Sequence, residues 1–103
     1  MQSTYYTWSG YLEKDGNRSE LAFKDFACPP EGGEITGHTT DGRTAKGSWK
    51  ESNGMVGFTL EGANCDRLFF EGEMRFDKAS IYGQYGVNQR NLQDAFEIIL
   101  QEV

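Results

Sequence analysis

The chain has 103 residues, with 10 Lys+Arg against 16 Asp+Glu for a formal charge of −6, and it carries 13 Gly but only 2 Pro. That length suits one domain over residues 1–103 with one modest core. No apolar run approaches the roughly 18 residues of a membrane helix, and the acid excess argues against nucleic acid, whose phosphates demand clustered Lys and Arg. The opening MQSTYYTWSG has neither a basic nor an apolar signal region. A cytoplasmic location is therefore expected, or a secreted or periplasmic one after signal removal.

In chain order, apolar residues recur at every second position, the period of a half-buried strand. The first segment carries Tyr6, Trp8, Gly10 and Leu12 on one face. Leu21 and Phe23 follow, then Ile35, Gly37 and Thr39, then Ala45, Gly47 and Trp49, then Val56, Phe58 and Leu60. The alternation is clearest in Leu68, Phe70, Gly72, Met74 and Phe76, interleaved with Glu71, Glu73 and Arg75. Ile81, Gly83, Tyr85 and Val87 form the seventh set. Between these segments stand Asp15-Gly16, Pro29 to Gly33, Asp41-Gly42, Asn53-Gly54, Asn64-Cys65-Asp66 and Asp77-Lys78. Asp-Gly and Asn-Gly pairs are hairpin signals, because a type I′ turn needs positive φ at both central residues.

Residues 91–103 admit two readings. As a helix, Asn91 caps a stripe of Leu92, Phe96, Ile99 and Val103, leaving a seven-stranded sheet with a C-terminal helix. As a strand, Phe96, Ile98 and Leu100 face inward, and pairing with the first strand removes both open edges. The strand is preferred, so the expected fold is all-β, an antiparallel eight-stranded up-and-down meander barrel. Gly10, Gly37, Gly47, Gly72 and Gly83 all fall mid-strand on the inner face. Glycine there marks sharp bends or close backbone approach, as the coiled strands of a small barrel require.

The topology has positional consequences. Cys28 falls at the rim of the even-to-odd turns, the near rim, and Cys65 at the opposite, far rim, on the order of 20 Å apart. A disulfide spans under about 7 Å between Cα atoms, so two free thiols are expected. Asp15, Asp41, Asp66 and Asp94 gather at the far rim with Arg18, Arg43, Arg67 and Arg90. Asp there reads as turn chemistry and Arg as solvation of the strand starts.

The chemistry-bearing patterns are sparse. No zinc, phosphate-loop or nucleophile-elbow motif is present, so no metal, cofactor or catalytic residue is expected. His38 points outward between Thr36 and Thr40, with Lys46 a plausible neighbour and no evident carboxylate. The outer faces differ from one another. The middle strands turn out Lys24, Glu34, Thr36, Thr44, Lys46, Ser48 and Thr59, whereas the last three and the first turn out Phe69, Tyr82, Ile99, Val103, Tyr5 and Tyr11. Clustered outward aromatics mark an association surface. The candidate interface is therefore Tyr5, Tyr11, Phe69, Tyr82 and Ile99, for a protein partner or a homo-oligomer. The alternative is a carrier of a small apolar ligand in the lumen, lined by Tyr6, Trp8, Thr39, Trp49 and Tyr85.

The elements Trp8-Ser9-Gly10-Tyr11, Gly47-Ser48-Trp49 and Tyr82-Gly83-Gln84-Tyr85 resemble those of the avidin- and lipocalin-type small barrels, loosely over residues 4–102. The resemblance implies a meander barrel, non-enzymatic binding and pairing of barrels through an outer wall. It does not extend to biotin or retinoids: the inward polar set and long loops of the avidins are missing, and the chain is short for a lipocalin.

Overall fold

The computed structural model describes residues 6–29, 31–62, 66–75 and 79–102. Among them run β1 (Tyr6–Lys14), β2 (Asn17–Ala27), β3 (Gly33–Thr39), β4 (Thr44–Trp49), β5 (Met55–Glu61), β6 (Arg67–Met74), β7 (Ser80–Gly86) and β8 (Asp94–Glu102). Each strand pairs antiparallel with the next, and β8 closes on β1 from Tyr6↔Glu102 to Glu13↔Ala95. The fold is thus the expected eight-stranded up-and-down barrel. Residues 94–102 are strand rather than helix, because closure satisfies the backbone groups that two bare edges would expose.

The inner face is the one the alternation marks, except at Val87, which lies past the end of β7 and is 78% exposed. Ile35, Leu60, Ile81 and Ile98 are fully buried, with Leu21, Phe23, Ala45, Val56, Phe58, Phe70, Met74 and Phe96 around them. The five mid-strand glycines share one role. A Cβ on Gly10, Gly72 or Gly83 would collide with the carbonyl oxygen of Glu97, Tyr82 or Glu71 on the neighbouring strand. One on Gly47 would stand 2.5 Å from the Cα of Phe58. The strands bend into each other's space, as a small barrel requires.

The turns divide. Asp15 and Gly16 both have positive φ, 52° and 81°, the type I′ pair expected of Asp-Gly. Asp41-Gly42 and Asn53-Gly54 differ, for only Gly42 and Gly54 are left-handed there. Thr39–Arg43 is a three-residue loop, closed by Gly42 N–H to Thr39 O at 3.2 Å and Thr39 N–H to Arg43 O at 2.9 Å. The Asn64–Asp66 turn falls partly outside the described residues, Asp77-Lys78 wholly so, as does Phe76.

One departure moves a core residue. Phe23 pairs with Thr39 but Asp25 pairs with His38, so Lys24 is an extra residue in β2. Such a bulge reverses the alternation beyond it. Phe26, which strict alternation from Phe23 would place outward, packs instead against the core.

Candidate functional site

The interior comes first, since it decides what space the barrel offers. Phe58 stacks on Phe70 with ring centroids 4.6 Å apart, and Phe70 stacks on Tyr85 at 5.4 Å. Phe96 stands edge-on to Phe70 at 5.0 Å. Towards the other end Phe26 meets Phe58, Phe23 and Trp8 at 5.9, 4.6 and 5.5 Å. A continuous series of rings thus runs from Trp8 to Tyr85. Each such pair is worth about 0.5–1.5 kcal/mol beyond simple burial.

The lumenal candidates are largely committed to this packing. Trp49 Nε1–H donates to Pro29 O at 2.8 Å, tying β4 to the β2–β3 loop. The Thr39 hydroxyl donates to Asp41 and accepts from Arg43 N–H at 2.8 Å, so it builds the β3–β4 turn. Trp8 is buried against Phe26. Tyr85 lies inward near the far rim. Burial first, then the carboxylates of Asp94 and Asp15, push its phenol pKa up. The Tyr6 side chain lies outside the described set. Cys28 is a free thiol, part-buried at the near rim, its pKa pushed up to about 11 by burial. Cys65 falls outside the described residues.

The outer surface divides into two walls. On the β3–β6 wall the register sets Thr36, Lys46, Thr59 and Phe69 in one row, and His38, Thr44, Glu61 and Arg67 in the next. An open groove here is lined by Glu34, Thr44, Lys46, Thr59, Glu61 and Arg67. Arg67 donates to Glu61 at 2.8 Å. His38 has a carboxylate neighbour, a point the sequence left open: its Nδ1 lies 3.0 and 3.1 Å from the two oxygens of Asp25. The β2 bulge puts Asp25 opposite His38, and alternation alone could not have shown it. Lys46 sits on the other side, one row along.

The β7–β8–β1–β2 wall is organised differently. Register aligns Glu73, Tyr82, Glu97, Tyr11 and Glu20 in a single row across five strands, β6 to β2. The Tyr11 hydroxyl donates to Glu97 at 3.4 Å, and that of Tyr82 donates to Glu73 at 3.2 Å. An arginine covers each ring: Arg18 lies 4.0 Å from the Tyr11 centroid and Arg75 lies 4.6 Å from that of Tyr82. Arg18 is also held by Glu13 at 2.9 Å. The adjacent row is Ser80, Ile99, Ser9 and Ala22. Ile99 is 42% exposed and Tyr82 39%, so an apolar side chain stands among small neighbours beside the charged row.

Of the interface candidates, Tyr11, Tyr82 and Ile99 meet on this wall around Glu97. Phe69 does not join them: its partners are Thr59 and Gly86, which places it beside Lys46 on the other wall. Tyr5 and Val103 lie outside the described residues. The arginines at the far rim mostly pair locally, Arg43 with Asp41 at 3.8 Å for example, as the turn-chemistry reading expects. Sequence inspection missed Glu97, Arg18 and Arg75 as members of the site. Their charge looked like ordinary outward solvation, and only the register shows them converging on two rings.

Among the described residues no group of three or more His, Cys, Asp or Glu side chains could hold a metal ion. No helix there is long and apolar enough to cross a membrane. No family model, no curated protein and no solved structure matches the chain.

Proposed function

We propose that the protein is a non-enzymatic binding module that works through its β7–β8–β1 outer wall and associates with itself there. The observation that carries this reading is the clustering of exposed Tyr82 and Ile99 with Tyr11 on one wall. Aromatic and arginine side chains around a small apolar centre are the composition that association surfaces favour. The avidin- and lipocalin-type resemblance points to the same mode, barrels paired through an outer wall.

Three further observations support this over the other uses of the fold. The rings from Trp8 to Tyr85 occupy the space that a lumenal ligand would need. The histidine is engaged by Asp25 on an open wall, with both side chains more than half exposed, rather than in a water-excluding cleft. The barrel is apolar within and charged without, the reverse of a water-filled membrane barrel.

Multi-angle light scattering across a concentration series tests the reading. Wild type is expected to approach twice the monomer mass. Tyr82→Glu, which sets a third carboxylate between Glu73 and Glu97, is expected to raise the dissociation constant at least tenfold, about 1.4 kcal/mol. A monomeric mass for wild type at every concentration removes the proposal.

A further inference from the structure

We infer that the occupant of this wall is a second copy of the chain, related by a two-fold axis that runs parallel to the strands between β8 and β1. The inference rests on the self-association reading above and adds the register of the pair. In a face-to-face pair the two-fold axis lies within the contact plane, so each row of one wall meets the same row of the other, reversed.

The row Glu73–Tyr82–Glu97–Tyr11–Glu20 alternates acid with arginine-covered ring. An alternating row is self-complementary only when it is reversed about a point between two members. With the axis between β8 and β1, Glu97 faces Tyr11 and Arg18 of the second copy. Tyr82 with Arg75 then faces Glu20. The adjacent row sets Ile99 on Ser9 of the second copy, with Ser80 against Ala22, so each Ile99 rests on a floor of small residues. The third row sets Gln84 against Arg18 and Ala95 against Glu13. An apolar centre with an acid–arginine rim is the anatomy of a specific interface.

Two other registers are worse by charge. An axis between β7 and β8 sets Glu71 against Glu13, and one along the row sets Glu97 against its own copy. Like charges in such positions suppress wrong registers. Glu20 gives an independent sign. It is exposed and makes no ion pair among the described residues, yet it ends the row at the position Arg75 of a second copy would reach.

Two single variants and their mixture test the register. Glu20→Arg places cation against Arg75 of the second copy, and Arg75→Glu places acid against Glu20. Each substitution occurs twice per dimer. Each variant alone is expected to dissociate with a constant roughly tenfold above wild type or more, and the equimolar mixture is expected to recover to within about threefold of wild type. Sedimentation velocity with one variant fluorescently labelled reads the mixed species directly. Both positions are exposed, and recovery in the mixture shows that neither variant has lost its fold. If Tyr82→Glu weakens the dimer but the mixture gains nothing over the separate variants, the register is overturned while the wall stands. If wild type is monomeric throughout, the wall reading and the register fall together.

Discussion

The inside and the outside of the barrel are built from the same strands by opposite rules. Inside, size decides. Rings stack along the interior while Gly37, Gly47, Gly72 and Gly83 let neighbouring backbones approach, and the polar groups of Thr39 and Trp49 are consumed by a turn and a loop. Outside, charge decides. The β7–β8–β1–β2 wall alternates acid with covered ring, while the β3–β6 wall mixes Thr, Lys and Glu with the half-buried Phe69. The lesson is that stability is written on the inner face, and the association proposed above would be written on the outer one. A substitution should move one property and leave the other.

That separation can be broken from the inside first. Phe70 touches Phe58, Tyr85 and Phe96 and is almost fully buried. Phe70→Ala should cost about 3–5 kcal/mol in urea unfolding, because ring contacts are lost and a cavity remains. A loss below about 1 kcal/mol would mean that the interior can collapse around the gap and is not a size-specified stack.

A smaller effect sharpens the boundary at the rim. Thr39→Ala removes the hydroxyl that joins Asp41 to the Arg43 amide. The expected cost is about 1–2 kcal/mol, since a part-buried amide loses its acceptor. Thr39→Ser should restore most of it, and a serine variant as unstable as the alanine one would shift the cause from the hydroxyl to the methyl group.

The smallest effect compares the two walls. Lys46→Glu lies at the centre of the β3–β6 wall, exposed and between Thr36 and Thr59. It should change unfolding free energy by no more than about 0.5 kcal/mol and should leave the dissociation constant measured for wild type unmoved. A shift in that constant as large as the one expected for Tyr82→Glu would place the contact surface on the wrong wall.

Much of this organisation was legible in the residues. Strict alternation in Leu68, Phe70, Gly72 and Met74 marks an inner face without any tertiary information, because side chains in a strand point to opposite sides by turns. The mid-strand glycines were legible for a related reason: a residue with no Cβ inside an apolar alternation has little use except to let backbones approach. Where alternation is interrupted, the reading stops. Lys24 carries no mark of a bulge, yet it moves Phe26 into the core and Asp25 onto His38. The candidate site was legible only in its apolar members. Tyr11, Tyr82 and Ile99 stand out as apolar side chains in outward positions, whereas Phe69 satisfies the same criterion and lies on the other wall.

The local pattern of residues by itself therefore determined the strands and most of the inner set, Phe26 and Val87 excepted, because each depends only on neighbours along the chain. Tertiary structure alone decided the closure of β8 on β1, the bulge, and the row from Glu73 to Glu20. Those depend on register between segments as distant as Tyr11 and Glu97, which pair across 86 positions of sequence. The acid excess gained a location in the same way. It first served to exclude nucleic acid, and on the folded barrel part of it forms one ordered row, in which every second place is a tyrosine under an arginine.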